Sequence, residues 1–124
     1  MAWGGGLLTD PFDVASAGAN GAAPFQPGSL TPSQDNSLIA MVVGLNMDEL
    51  QVPVVDSGYT VLDFVGAAGG SNYASSSVYF VQSTAGAINP TVTSNGDCAI
   101  QAAFKPFVSG GATPTTRLPL LGVG

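Results

Sequence analysis

Chemistry in a protein chain usually starts from histidine, cysteine or converging carboxylates, and this chain has no histidine and one cysteine, Cys98. Without an imidazole there is no Ser-His or Cys-His nucleophile and no His-containing zinc site, and one thiol builds neither a Cys-rich metal site nor an internal disulfide. What remains is eight carboxylates: Asp10, Asp13, Asp35, Asp48, Glu49, Asp56, Asp63 and Asp97. The close pairs are Asp48 with Glu49 and Asp56 with Asp63. Adjacent strand residues point to opposite faces, and acidic loops are far commoner than glycosidase pairs, so neither reads as an acid/base couple. Calcium held between Asp56 and Asp97 would have no EF-hand spacing behind it. The runs "GGG" and "GAAGG" lack the strand, lysine and helix of a phosphate-binding loop and read as flexible spacers. The expectation is a chain that is not an enzyme, with no catalytic residue, no metal and no cofactor. Cys98, inside "DCAIQAAF", is expected to be a small buried hydrophobe on a strand.

Charge narrows the partners. Only Lys105 and Arg117 oppose the eight acids, for a net charge of −6, and charged residues make up 8% of the chain where a soluble domain typically has about 25%. Two isolated cations cannot neutralise a run of phosphates, so no nucleic-acid partner is expected. With so few ionic groups, the surface must be Ser, Thr, Asn, Gln and Gly, and the groups that keep a small apolar-rich domain monomeric are scarce. No apolar run approaches the ~20 residues that cross a bilayer, so no membrane partner is expected. The start "MAWGGGLLTDPF" lacks the basic and apolar regions of a secretory signal.

The elements that would position these residues are strands. "SLIAMVVGL", Ser37 to Leu45, is a nearly continuous apolar run closed by Gly44, read as a central strand buried on both faces. "QVPVVD" is a strand placed at an edge or bulge by Pro53. The turn Asp56–Gly58 leads into the strand "YTVLDFV", with Asp63 toward solvent or capping a loop. "YASSSVYFVQS" is a strand with consecutive apolar residues from Val78 to Val81. "TVTSNG" and "DCAIQAAFKPFV" should form a tight hairpin through Asn95-Gly96. Before Ser37, one or two irregular strands are expected in "FDVASA" and "FQPGSLTP". Turn signals every 8 to 12 residues without a 3.6-residue period indicate an all-β, antiparallel β-sandwich, jelly-roll or Ig-like.

The order of "TPSQDNSLIAMVV", "PVVDSGYTVLDFV", a Gly/Ser loop, "SSSVYFVQSTAG" and "INPTVT" resembles β-sandwich domains of tailed-bacteriophage and prophage virion proteins. There, a D-x-x-G-x-x-Y/W turn typically follows the second core strand, and a YY or YF strand ends in Ala-Gly. The resemblance covers roughly residues 13–107, and Asp-Ser-Gly-Tyr is shorter than the usual turn. Such domains serve as capsid decoration proteins, head fibres, tail-tube ornaments and receptor-binding fibres. The resemblance brings over no catalytic residues. A bare domain without a shaft is more similar to a decoration or cement protein than to a fibre.

The expected organisation is an N-terminal arm (1–12), a β-sandwich domain (13–108) and a C-terminal arm (109–124). Trp3, Leu7, Leu8 and Phe12 would anchor the first arm on a neighbour, and Leu118, Leu120, Leu121 and Val123 the second. Leu38, Ile39, Val42, Val61, Val78, Phe80, Ile100 and Phe104 are expected in the core. The implied role is a virion structural protein, made in the host cytoplasm, whose partners are a major capsid or tail protein and copies of itself in a homo-oligomer or lattice. A carbohydrate or host-surface module is the alternative, with Tyr59, Tyr73, Tyr79 or Trp3 exposed near polar loops. Because the carboxylates supply nearly all the repulsion between copies, turbidity should rise as pH falls from about 5 to 4, toward the pI of about 4.1. A clear solution throughout that titration would contradict this.

Overall fold

A computed structural model describes residues 10–45, 52–66, 73–94 and 96–106. Eight strands run along them: β1 (Phe12–Ala15), β2 (Ala19–Asn20), β3 (Ser37–Leu45), β4 (Val54–Val55), β5 (Thr60–Gly66), β6 (Ala74–Gln82), β7 (Val92–Ser94) and β8 (Cys98–Phe104). The protein is all-β and every strand pairing is antiparallel; the described residues contain no helix. No helix among them is therefore long and apolar enough to cross a membrane.

The larger sheet has the order β1-β8-β3-β6-β5, with β2 also on β8, and the smaller is β4-β7. Central β3 pairs with β6 along its whole length, from Ser37 opposite Gln82 to Leu45 opposite Ala74, and with β8 from Leu38 opposite Phe104 to Gly44 opposite Cys98. Asn36 enters β3 with φ 59°, a left-handed conformation that asparagine tolerates. Its N–H donates to Ser83 O at 3.3 Å, tying the start of β3 to the end of β6.

The inner face of this sheet carries Ile39, Met41, Val43 and Leu45 of β3, Val78 of β6 and Ala99 and Ala103 of β8, all buried. Val92 of β7, Val55 of β4 and Phe25 pack on one part of it, and Leu30 and Ile88 on another. Much of this cover is not regular strand. Phe25 bridges Val92 and Leu30 bridges Ile88, each by a reciprocal backbone pair of 2.9 and 3.1 Å. Between and beside those bridges Pro27, Pro32 and Pro90 are fully buried. Proline has no N–H, so an irregular segment can be buried there without stranding a donor.

Carboxylates clamp the loops. Asp13 accepts from Ser33 N–H at 2.6 Å and Ser33 Oγ at 2.8 Å, and Asp56 accepts from Thr91 N–H and Ser57 Oγ, both at 2.8 Å. The Ser33 and Thr91 N–H bonds hold Asp13 and Asp56 below the usual carboxylate range. Lys105 meets Asp10 at 3.3 Å on the surface, a pair worth little in water.

Three expectations are corrected. β7 and β8 do not form a hairpin: β7 pairs with β4 and β8 with β3 and β1, so the chain changes sheet there. Gly96 marks that crossing, since a Cβ on it would come within 2.7 Å of Val92 and 3.1 Å of Val43. β3 is central but buried on one face only, its residues alternating between buried and partly or fully exposed. Phe12 lies in β1 opposite Phe104, inside the sheet rather than in an arm.

The inner face holds one large buried polar side chain, Gln101 of β8, 1% exposed. Its Oε1 accepts from Tyr59 Oη at 2.8 Å, and its Nε2 donates to Gly28 O at 2.8 Å and to Ile88 O at 3.4 Å. Burial, with the Asp56 charge adding to it, pushes the Tyr59 phenol far above its ordinary value, so the hydroxyl stays a donor. Gln101→Leu keeps the volume but strands the Tyr59 hydroxyl and the Gly28 carbonyl. It should cost about 2–4 kcal/mol of unfolding free energy, read by urea denaturation; a loss under about 0.5 kcal/mol would show that the amide is dispensable.

Candidate functional site

The outer face of the larger sheet follows from the register, because residues directly opposite on neighbouring strands share a face. One row is Phe12–Phe104–Leu38–Val81, the next Ala15–Ala102–Ala40–Tyr79–Thr60. A third is Ile100–Val42–Ser77–Asp63, and the last Asn20–Cys98–Gly44–Ser75–Val65. The first two rows are almost wholly apolar. No described lysine or arginine stands in any of them, and Asp63 is their one carboxylate, on edge strand β5.

Nothing among the described residues covers this face. Val42 is 52% exposed, Ile100 51%, Val65 63% and Leu62 71%, with Phe12 and Val81 also open. Leu62 owes its exposure to a bulge: the β5–β6 register shifts between Val61 and Asp63, and the extra residue stands out of the ladder. Leu62, Leu38, Ala40, Val42, Tyr79 and Val81 line a groove of about 480 Å³ across β3, β6 and β5. A second, shallower hollow of about 490 Å³ lies beside β2, floored by Gly44, Cys98 and Ala19. Single exposed apolar residues are ordinary, but a contiguous apolar face over five strands marks a contact surface.

The sequence-derived candidates divide across the sheet. Ile39 and Val78 are buried on the inner face, and Phe80 packs there half-buried, stacked on Tyr59 at 5.5 Å. Leu38 and Phe104, placed in the core from sequence, belong to the outer face and are half-buried by each other, by Phe12 and by Val81. Val42 and Ile100 were expected in the core and are exposed, for want of a layer over their row. Val61 is in register with inner Val78, yet 38% exposed because β5 is an edge strand. Cys98 is exposed rather than buried, lying across Gly44 in the last outer row. Trp3, Leu7, Leu8, Leu118, Leu120, Leu121 and Val123 lie outside the described residues, as do Asp48 and Glu49.

Among the described residues, no group of three or more His, Cys, Asp or Glu side chains stands where it could hold a metal ion. Asp56 is engaged by Ser57 and Thr91, and Asp63 Oδ1 accepts from Phe64 N–H at 2.8 Å. Of the tyrosines, Tyr59 is committed to Gln101 and Phe80, Tyr79 is half-buried on the outer face, and Tyr73 is 72% exposed. Leu62 and Val65 were not singled out from sequence. The signal that would have found them is the apolar character of both faces of "YTVLDFV".

Comparison with protein-family models, with curated proteins and with solved structures finds no match. The geometry of the described residues therefore stands by itself: a sheet with one face packed against Phe25, Leu30, Val55, Ile88 and Val92, and the other apolar and open. At sub-micromolar concentration Ile39→Ala should cost roughly 2–5 kcal/mol of stability, and Val42→Thr less than about 0.5 kcal/mol, compared by chemical unfolding. Equal losses would put Val42 in the core after all.

Proposed function

We propose that this chain is a non-enzymatic structural protein of a tailed-phage virion, decorating or stabilising the capsid or tail through subunit contacts. It would be made in the host cytoplasm, act in the virion, and have as partners a major capsid or tail protein and copies of itself. The observation that carries this reading is the open apolar outer face on a chain with two cations. Left wet, the described face would cost roughly 25 cal/mol per Å² of apolar surface, which assembly would recover.

We read the fold as a two-layer β-sandwich of jelly-roll type, and its support is the nesting of the pairings. Phe12 pairs with Phe104, Asn20 with Cys98, Phe25 with Val92, Leu30 with Ile88, Ser37 with Gln82 and Leu45 with Ala74. The chain thus doubles back on itself as one long hairpin that wraps until β3 meets β8, the way a jelly roll is built. It departs from that plan at β5, which joins β6 in the larger sheet rather than β4. The carbohydrate or host-surface alternative rests, among the described residues, on Tyr73.

Purified particles from the source of this chain should contain it in repeated copies, countable against the major shell or tube protein by quantitative mass spectrometry. A chain lacking residues 1–12 and 109–124 should fail to co-sediment with those particles. Absence from the particles, or a truncated chain that keeps a glycan ligand, would favour the surface-binding alternative.

A further inference from the structure

We infer that the outer face of the larger sheet packs against the same face of a second copy of this chain, in a two-fold, face-to-face dimer. This deepens the structural reading above and rests on it. The first argument is size. Five strands at ~4.8 Å spacing, the longer ones seven to nine residues at ~3.4 Å, make a face of roughly 600 Å². Two such faces bury on the order of 1,200 Å², the lower bound of a specific protein–protein interface.

The second argument is charge. A surface that meets its own copy brings every charge against a like one unless the charges are absent or peripheral. Here the described face has Asp63 alone, on the edge strand, so the centre at Ala40 and Val42 can be dehydrated without stranding an ion. The third is shape. Bulk is concentrated at one end of the strands, in the row Phe12–Phe104–Leu38–Val81, and small residues at the other, in Asn20–Cys98–Gly44–Ser75. A two-fold axis lying in the interface across the strands sets the bulky end of each copy onto the small end of its mate. The hollow floored by Gly44, Cys98 and Ala19 then receives the partner's phenylalanines.

The chain's own apolar segments outside the described residues, Trp3 to Leu8 and Leu118 to Val123, are the competing occupants, and a monomeric wild type would point to them. Leu118 to Val123 laid out as a strand would cover a strip about one strand wide, ~5 Å, and leave exposed residues on either β8 or β5 uncovered.

The experiment measures mass by sedimentation velocity and the reaction of Cys98 with a thiol reagent, on the full chain at micromolar concentration. Wild type should have the mass of two chains, with Cys98 reacting roughly ten-fold more slowly than in a monomer because the partner covers it. Val42→Asp and Ile100→Asp should each give a monomer with an unchanged circular dichroism spectrum and a fast Cys98. Leu120→Asp combined with Leu121→Asp should remain dimeric. A monomeric wild type, a dimer indifferent to both outer-face variants, or a dimer lost in the Leu120/Leu121 variant would each overturn the inference. None of these outcomes bears on whether the chain is found in particles, which tests the structural reading separately.

Discussion

Strand β3 is hydrogen-bonded along both edges, and the rest of the structure depends on how its register is held. Side chains alternate along a strand, so a slip of one residue would exchange Ile39, Met41 and Val43 for Leu38, Ala40 and Val42 on the inner face. Both sets are apolar, so hydrophobicity alone chooses weakly between them. Gln101, opposite Met41 on β8, makes the choice sharp. On the inner face its amide satisfies the Tyr59 hydroxyl and the Gly28 carbonyl and adds a second bond to Ile88 O; turned to the outer face it would leave the Tyr59 hydroxyl and Gly28 carbonyl without it.

This way of holding a fold suits a chain with almost no ion pairs. The carboxylates act as acceptors rather than as partners of cations: Asp13 fastens β1 to Ser33, Asp35 takes the Ala85 N–H, and Asp56 joins the β4–β5 turn to Thr91. Each joins segments far apart in sequence, and each works by geometry that salt screens little. Buried prolines let irregular cover replace regular strands on the inner side. Among the described residues, the smaller sheet and this irregular chain cover the inner side of the larger sheet, and none of them covers its outer side.

A rigid sheet with one bare apolar side has a functional consequence. The strands that present Val42, Ile100 and Leu62 are fixed by the core behind them, so their contact surface is preorganised and little ordering entropy is lost when it is covered. The apolar, almost uncharged chemistry of the described face is what the proposed subunit contact rests on. Tyr59, whose phenol burial pushes up, is spent on internal structure through Gln101.

The sequence by itself determined the all-β character, since its short apolar runs, turn signals and missing helical period leave little else, and the main strands lie where those runs are: "SLIAMVVGL" is β3, "TVLDFVG" β5, "ASSSVYFVQ" β6 and "CAIQAAF" β8. It also determined the poverty of charge. What only the tertiary structure decided is which side of each strand is inside. Val42, Ile100 and Cys98 read as core because period-two alternation does not say which face a second layer will cover when both faces are apolar. Gln101, a polar residue in an apolar run, reads by itself as the solvent side, and the partners that bring its parity inside, Gly28, Tyr59 and Ile88, are distant in sequence. The Asn95-Gly96 signal predicted a hairpin that does not form, because local chemistry does not choose a partner strand: β7 and β8 go to different sheets because β8 is claimed by β3 and β1 across more than fifty residues of chain.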